Sequence, residues 1–304
     1  MANGNAADGG TRLVAYEWMA WQNFLASSLF SRATRLHARF DDSVEVVMGQ
    51  IPPHATHFLF HLNVTLTSGF PASRTGLLAA LASRGIRPLN ERVTDISKPF
   101  IHQTCTRLGL SSTLAERTLP ADVPVVIKSS LNYGGKTEKY LPPAEVARMG
   151  LRLPENIDPE NYRIMRSGDV PGPWWNDPSL CIERYISNSG NRWHRVYLWQ
   201  DRILVREALN PRPIKKLTGN ISSRGMCCTL VDGRYRTAAG SEPAPANLVA
   251  RLAAFVPAFG LDFGTIDLVS DDAGQHYIID VNTTPFFASK AADVLSHLEG
   301  VLPH

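Results

Sequence analysis

The sequence predicts an α/β protein of the mixed α+β kind that contains more than one subdomain. Its 304 residues exceed the length that one hydrophobic core usually serves. Helix-like and strand-like patterns alternate along the chain, and two β-rich runs near its C-terminal end have the pattern of a hairpin. With 44% hydrophobic and 19% charged residues, the composition is that of an ordinary globular protein.

The N-terminal part has the pattern of a small α/β domain. Residues 1–12 are rich in Gly, Ala and Asn and predict a flexible tail. An amphipathic stretch follows at 18–30, and apolar runs follow at 44–48 and 58–66. The spacing of apolar residues then predicts a helix over residues 74–83, which a glycine and a proline end.

The middle of the chain carries a polar, glycine-containing loop after an apolar strand. We expect a helix over residues 98–108 and a strand over 123–128. The loop after Lys128 reads SSLNYGGK, which is neither a Walker A sequence nor a GxGxxG turn. Both a phosphate-covering loop and a solvated hairpin loop fit it. Residues 141–180 are rich in Pro and Trp and are interpreted as an ordered insertion or a substrate lid.

The C-terminal part combines several strands with two helices. Two apolar runs joined by Gln200 and Asp201 predict successive antiparallel strands. A polar loop is expected at residues 218–225. The other expected elements are a strand at 181–186 and helices at 247–259 and 288–302.

The predicted C-terminal hairpin places two carboxylates opposite each other. We assume a loop with an even number of residues, centred between Ala273 and Gly274. Asp267 then pairs with Asp280, and Asn282 follows on the same face. Opposed like charges destabilise a strand pair unless a cation lies between them. Two carboxylates and one amide suit a hard cation, so the hairpin predicts a Mg²⁺ site.

A hairpin with one solvent-exposed face is the alternative to a metal site. Against it, both faces carry apolar residues, which a solvent-exposed face would not. The residues expected beside the polar side chains are Phe263, Val269 and Ile278. Those expected on the other face are Ile266, Leu268, Ile279 and Val281.

Charge and cysteine content argue against some classes of protein. The net charge of +3 is too small to indicate a nucleic-acid partner. Between Arg192 and Arg236, however, the sequence contains ten Lys or Arg residues and three Asp or Glu residues. This local excess of positive charge fits a solvated basic face or a cleft that binds an anion. The four cysteines lack zinc-site spacing and predict reduced thiols. Without a membrane-length apolar run or a secretory-signal pattern, we expect a cytoplasmic protein with no membrane partner.

Taken in order, these motifs resemble the ATP-grasp superfamily, which includes glutathione synthetase, D-alanine:D-alanine ligase and RimK-type ligases. VVIK resembles the strand whose lysine contacts nucleotide phosphates, and CIERYI resembles the hinge at the adenine. WHRVYLW resembles the RimK-type arginine strand, and GNISSRG resembles the Asn-containing loop near the acceptor. GTIDLV with IIDVNTTP resembles the metal-binding strands, although the family's usual Glu-x-Asn is Asp-Val-Asn here, as in many inositol polyphosphate kinases. The resemblance covers about residues 90–290.

The resemblance implies three subdomains, with nucleotide held between the last two. They are an N-terminal α/β domain (1–110), a central ATP-grasp subdomain with the lid or insertion (111–180) and a C-terminal ATP-grasp subdomain with the Mg²⁺ site (181–304). The implied cofactors are ATP and one or two Mg²⁺ ions, which Mn²⁺ could replace. The residues implied to bind nucleotide are Lys98, Lys128, Ser130, Gly134, Gly135, Glu183, Arg184 and Tyr185. The implied catalytic residues are Arg195, Asn220 and Arg224, and the implied metal ligands are Asp267, Asp280 and Asn282.

The implied activity is that of an ATP-dependent carboxylate-amine ligase. Such a ligase forms a peptide bond through an acyl phosphate and releases ADP and phosphate, and the expected substrates are small anionic carboxylates and amines. The Asp at position 280 and the basic run leave a second alternative, a small-molecule kinase with a hydroxyl acceptor. A nucleotide-binding protein without turnover is the third. The oligomeric state stays open, with the homodimer as the family's commonest assembly.

Overall fold

The structure is a computed structural model that describes most, but not all, of the chain. The described residues are 12–19, 25–153, 162–214 and 220–286, without the side chains of 220–224. The predicted helix at 288–302 lies outside them, as does most of the predicted N-terminal tail.

The chain divides into two compact units. The first comprises residues 1–63, 67–91 and 284–304, and the second comprises residues 64–66 and 92–283. The mixed α/β class predicted from the sequence is confirmed. The division into three subdomains stays a prediction.

The first unit is built on a parallel sheet. Its strands are β1 Leu13–Trp18, β2 Thr34–His37, β3 His57–Leu62 and β4 Arg87–Leu89, in the spatial order β2-β1-β3-β4. Its helices are α1 Leu25–Leu29, α2 Val44–Gln50 and α3 Arg74–Ser83. The predicted helix over 74–83 is therefore confirmed. The amphipathic stretch at 18–30 is not one element, because Trp18 ends β1 and α1 begins at Leu25.

In its described residues, the second unit contains two sheets and three α-helices. The smaller sheet has β5 Pro124–Ser129 between β6 Arg163–Arg166 and β7 Leu180–Arg184. The larger sheet consists of β8 Arg192–Trp199, β9 Arg202–Leu209, β10 Asn220–Val231, β11 Arg234–Thr237, β12 Phe263–Ser270 and β13 His276–Asn282. Its order is β11-β10-β9-β8-β12-β13, with antiparallel neighbours throughout. The helices are α4 Lys98–Arg107, α5 Pro143–Arg148 and α6 Ala246–Phe259.

Helices cover one face of the larger sheet. Leu252 and Phe255 of α6 and Ile101 of α4 are buried in one core with residues of the larger sheet's strands. The α6 helix ends at Gly260, whose φ of 81° is a conformation that glycine adopts without steric cost. α4 begins after Ser97, whose side chain accepts a hydrogen bond from the Phe100 backbone. The opposite face of the sheet carries Asp267 together with a smaller apolar cluster that includes Val269 and Ile279.

Two segments differ from the expected irregular structure. The sequence predicts a polar loop at 218–225, but β10 begins at Asn220 and pairs with β9, with a register shift between Ile221 and Gly225. Residues 141–180 contain α5 and β6, and β6 pairs with β5. This segment therefore completes the smaller sheet, a long-range pairing that its Pro-rich composition does not reveal.

The cysteines agree with the prediction of reduced thiols. All four are free, and Cys105, Cys181 and Cys228 are buried. Cys227 and Cys228 are adjacent in β10, so their side chains lie on opposite faces of the sheet. Within the described ranges, no helix has both the length and the apolar character needed to cross a membrane.

Gly264 in β12 occupies a position that suits only glycine. Its φ is +155°, and a Cβ there would lie 2.5 Å from the carbonyl oxygen of Asn282 on β13. Because that oxygen belongs to the backbone of a paired strand, we expect Gly264→Ala to lower the free energy of unfolding by about 2 kcal/mol or more. Urea unfolding measures the loss. Gly172→Ala is the control, since its nearest atom lies 3.8 Å away, and equal losses in both variants would contradict the prediction.

Two buried histidines on the helix-covered face predict acid sensitivity. The rings of His194 and His276 lie 5.1 Å apart. Burial lowers the pKa of each to about 4, with Arg192 adding to the effect at His194 and His194 adding to it at His276. The unfolded chain protonates these rings below about pH 6.5. The folded chain does so only near pH 4, so stability falls as the pH falls through this interval.

Urea unfolding across this pH interval tests the effect. As the pH falls, each ring lowers the free energy of unfolding by at most about 1.4 kcal/mol per pH unit. His276→Asn removes one of the two titrating rings, so its stability should fall less steeply than that of the wild type. An identical slope for the two proteins would show that the acid sensitivity has another source.

Candidate functional site

The strands β12 and β13 place Asp267 and Asp280 opposite each other, which confirms the predicted pair. The assumption behind that prediction was wrong. Ser270 pairs with His276, so the loop between them has five residues, 271–275, an odd number. A register shift next to Asp267 adds one residue to β13 and restores the aspartate pair.

The added residue changes the faces expected for two isoleucines. Ile279 packs with Val269 on the face that carries the aspartates. Ile278 packs with Leu268 in the core beneath the helices. The sequence predicts the reverse for both, because an unbulged strand alternates strictly between faces. The apolar surroundings expected for the aspartates are present nonetheless.

Four charged side chains form a row across the larger sheet, which we call the charged row: Arg206, Arg195, Asp267 and Asp280. They lie on the neighbouring strands β9, β8, β12 and β13, each paired with the next. Directly paired residues share one face of a sheet. Nε and Nη2 of Arg195 donate to the two carboxylate oxygens of Asp267 at 2.8 and 2.9 Å, a bidentate pair.

Cations flank both aspartates. Burial alone would lower the pKa of Arg195, but the carboxylate of Asp267 outweighs burial and raises it, so the guanidinium stays charged. On the other side, Nζ of Lys98 lies 4.0 Å from Oδ1 of Asp280 and donates to the Leu131 carbonyl at 2.9 Å. The opposed carboxylates are therefore stabilised at both ends of the pair.

The donor atoms of Asp267, Asp280 and Asn282 fit a hard divalent cation. Asn282 follows Asp280 by two residues on β13 and pairs with Thr265, so it lies on the same face. Asp267 and Asp280 are only 5% and 7% exposed. A carboxylate accepts several partners, so the bonds from Arg195 leave lone pairs on Asp267 for a metal ion. Oxygen donors of this kind suit Mg²⁺.

A second group of predicted residues lies around Lys128 on β5. Its Nζ donates to Oε2 of Glu183 at 2.7 Å, and Oγ1 of Thr113 donates to the same oxygen at 3.0 Å. Lys128 and Glu183 are 4% and 1% exposed. Burial would raise the pKa of Glu183, but Lys128 and His102 outweigh burial and hold it well below its usual range. Lys128 and Glu183 thus form a buried ion pair.

An open cleft lies beside this ion pair. Its volume, including the part open to solvent, is about 430 Å³. Its apolar walls include Val126, Ile186, Val269 and Ile279, and Lys128, Glu183, Arg184 and Tyr185 also line it. Nη2 of Arg184 donates to the Ser112 carbonyl at 2.8 Å, and the Tyr185 hydroxyl donates to the Pro213 carbonyl at 3.1 Å. Because Val269 and Ile279 lie on the aspartate face, the cleft borders that face.

The glycine-containing loop after β5 folds into 3₁₀ turns at Asn132–Gly135 and Glu138–Tyr140. Ser130, Gly134 and Gly135 are buried. Both glycines have positive φ, 66° and 72°. The loop is therefore not the solvated hairpin that the sequence left open.

Glu138 anchors this loop. It is fully buried, and its carboxylate accepts hydrogen bonds from the backbone and hydroxyl of Thr65 and from the hydroxyl of Thr137. Thr65 also accepts a hydrogen bond from the backbone of Asn132. No motif or spacing indicates this anchor, because Thr65 is 73 residues away from Glu138.

Two of the predicted catalytic residues, Asn220 and Arg224, have described backbones in β10, but their side chains are not described.

Arg206 was not among the predicted site residues. It is 4% exposed and lies directly opposite Arg195. The two-residue turn at Gln200 and Asp201 was a signal for this pairing, since antiparallel strands joined there place residues 195 and 206 opposite each other.

The comparisons with known proteins are informative at the level of structure. No protein-family model matches the sequence, and no curated protein matches it. The ATP-grasp ligase PsnB complexed with a minimal precursor has a TM-score of 0.53 and 11% identity, over 95% of this chain and 99% of that chain. PsnB complexed with a phosphomimetic variant of the minimal precursor, Mg and ADP has a TM-score of 0.52 and 13% identity, over 95% and 98%. At this identity the likeness shows the fold.

The comparison overturns one expectation from the sequence. The expected substrates are small carboxylates and amines, whereas the ligase with the similar fold was solved with a precursor bound. A further PsnB structure, with precursor peptide PsnA2 and AMPPNP, has a TM-score of 0.48 and 11% identity, over 95% of this chain and 97% of that chain. The expectation of small-molecule substrates is wrong, because the two PsnB structures with TM-scores of 0.53 and 0.52 were solved with a precursor.

The buried Lys128–Glu183 pair predicts strong coupling between its two charges. Lys128→Met leaves the Glu183 carboxylate buried without its cation, so we expect the free energy of unfolding to fall by about 3–5 kcal/mol. Lys128→Met combined with Glu183→Leu removes both charges and should cost less than the sum of the single changes. Urea unfolding of the three variants measures the coupling, with the exposed Lys139→Met as control. Additive losses would contradict it.

Proposed function

We propose, from the ATP-grasp fold of this chain, that it is an ATP-dependent ligase that joins a carboxylate to an amine on a peptide substrate. The charged row carries the proposal. It combines opposed aspartates, which suit a divalent cation, with the buried Arg206 and the half-buried Arg195, which suit an anionic reacting group. The precursor bound to PsnB supports a peptide as the substrate class.

The nucleotide would lie in the cleft beside Lys128. The apolar walls formed by Val126, Ile186 and Ile279 suit a planar base. Arg184 and Tyr185 follow Glu183 along one edge, where their backbone carbonyls would accept from the adenine amino group, since both backbone N–H groups already donate to other carbonyls. Lys128 would contact the phosphates, with Glu183 holding its ammonium in place. The buried loop with Ser130, Gly134 and Gly135 would cover the phosphates.

Asp267, Asp280 and Asn282 would hold one or two Mg²⁺ ions, or Mn²⁺ in their place. When bound, the metal would neutralise charge on the β- and γ-phosphate oxygens. Lys98 lies 4.0 Å from Asp280, so it would add positive charge at the same end of the nucleotide. The ADP and Mg found with PsnB support this pair of cofactors.

The chemistry would need positioning and charge compensation more than covalent help from the protein. A substrate carboxylate oxygen attacks the γ-phosphorus, and the bond to the ADP oxygen breaks, which leaves an acyl phosphate. The amine nitrogen then bonds to the acyl carbon, phosphate leaves, and the amine proton passes to solvent. Arg195 and Arg206 would stabilise the negative charge of both steps, with Asn220 and Arg224 near the acceptor.

A hydroxyl kinase is the second candidate function. Asp280-Val281-Asn282 in place of Glu-x-Asn favours it, as does the basic run between Arg192 and Arg236. The same nucleotide site would serve both reactions.

The four free thiols support the cytoplasm as the compartment for either activity.

Product analysis distinguishes the ligase from the kinase. We expect a panel of synthetic peptides with carboxylate and lysine side chains, incubated with Mg-ATP, to include one that yields ADP and phosphate in equal amounts. The mass of that peptide should fall by the mass of one water molecule, because its own carboxylate and amine condense. A mass gain of one phosphoryl group without free phosphate would establish the kinase instead.

The metal ligands predict a selective loss of turnover. Asp280→Asn keeps the size of the side chain but removes a carboxylate charge from the metal site, so we expect the rate of ADP formation to fall at least about 100-fold. Thermal unfolding should show a folded protein. Asp232→Asn, at an exposed turn with φ of 50°, is the matched control and should keep full activity. Normal turnover by Asp280→Asn would contradict the metal role.

A further inference from the structure

A second set of side chains that could bind a metal shares Glu183 with the Lys128–Glu183 pair. It consists of His102, Cys181 and Glu183, which we call the His-Cys-Glu cluster. One nitrogen, one sulfur and one carboxylate oxygen of these residues lie within 4.8 Å of one another. His102 lies on α4, and Cys181 and Glu183 lie two apart on β7, on one face of the strand. All three are buried, at most 2% exposed.

The two oxygens of Glu183 have different surroundings. Oε2 accepts hydrogen bonds from both Lys128 and Thr113. Oε1 faces Nε2 of His102 at 3.3 Å and Sγ of Cys181 at 4.0 Å. A thiol is a weak donor. Among the described residues, Oε1 therefore has only a weak hydrogen bond from Cys181 in addition to the contact with His102.

His102 is set up as a ligand. Its Nε2 is buried, and its contact with Glu183 is not aligned as a hydrogen bond. Its other nitrogen, Nδ1, lies 3.0 Å from the hydroxyl of Ser112. Metal-binding histidines commonly use one ring nitrogen for the ion and the other for such a partner.

From this arrangement we propose that the His-Cys-Glu cluster binds a borderline transition-metal ion such as Zn²⁺, at a site separate from the aspartates of the charged row. Thiolate, imidazole and carboxylate are the ligand types of zinc sites, whereas Mg²⁺ prefers oxygen alone. The chain would thus discriminate between hard and borderline ions by the chemistry of two donor sets. This site does not depend on the proposed ligase activity.

Two of the three separations are close to those that a tetrahedral ion requires, and the third, between His102 and Cys181, is at most 4.8 Å. Ligand atoms at about 2.0–2.3 Å from one zinc ion lie about 3.3–3.5 Å apart. The 3.3 Å between His102 and Glu183 meets this requirement, and the 4.0 Å between Cys181 and Glu183 needs a small closing movement. Lys128 keeps its bond to Oε2 meanwhile, because the ion would use Oε1.

An ion would reach the cluster from the open cleft, which Glu183, Thr113 and Lys128 line. Burial raises the pKa of Cys181, so its thiol is protonated without a metal. Binding breaks the S–H bond and forms a metal–sulfur bond. The proton leaves to solvent, and no oxidant or reductant is needed.

Cobalt absorption tests the site directly. The full chain, kept in excess Mg²⁺ so that the aspartate site is filled, is titrated with Co²⁺ as a spectroscopic substitute for Zn²⁺. We expect one equivalent to bind with a near-ultraviolet band from a thiolate–Co²⁺ bond, and Zn²⁺ to displace it. Cys181→Ser should lose the band. Cys227→Ser is the matched control and should keep it, since Cys227 is the more exposed thiol.

X-ray absorption of the wild-type protein with one equivalent of Zn²⁺ covers the case in which Cys181→Ser fails to fold. The expected spectrum contains one sulfur ligand at about 2.3 Å together with nitrogen and oxygen ligands. Only nitrogen and oxygen ligands would overturn the proposal. So would a cobalt band that is lost in Cys227→Ser but kept in Cys181→Ser, or the absence of saturable binding.

Discussion

The opposition of Asp267 and Asp280 is the constraint on which the rest of the site depends. Two carboxylates on adjacent strands repel unless positive charge lies close to both. The structure supplies it from two directions, with Arg195 bonded to Asp267 and Lys98 beside Asp280. The arginine comes from the next strand of the same sheet and the lysine from the first turn of α4. Sheet register and helix position therefore set the electrostatics together.

The sequence was a good guide to what is local and a poor one to what depends on strand irregularity. The helix over 74–83 follows from apolar spacing, and the pairing of residues 195 and 206 follows from a two-residue turn. The aspartate pair was predicted from an even loop, yet the loop is odd and a bulge next to Asp267 corrects the register. No residue type marks that bulge, so the faces of Ile278 and Ile279 were predicted wrongly.

Long-range polar contacts explain most of what sequence reasoning missed in the candidate site. Glu183 was assigned to the hinge by its motif, but its side chain also forms the buried pair with Lys128. Glu138 anchors the glycine-containing loop after β5 through Thr65, which is far away in the sequence. Such contacts depend on how sheets and loops pack, and the partners have no characteristic spacing. The motifs located the site, whereas the three-dimensional arrangement determines which charges compensate each other.

A crystal structure with Mn²⁺ and ADP tests the central claim most directly, because anomalous scattering locates the ion without reference to activity. The account predicts an anomalous peak within about 2.3 Å of carboxylate oxygens from both Asp267 and Asp280, with ADP phosphates beside it. A nucleotide bound elsewhere, or an ion that lies at other residues and away from both Asp267 and Asp280, would contradict it.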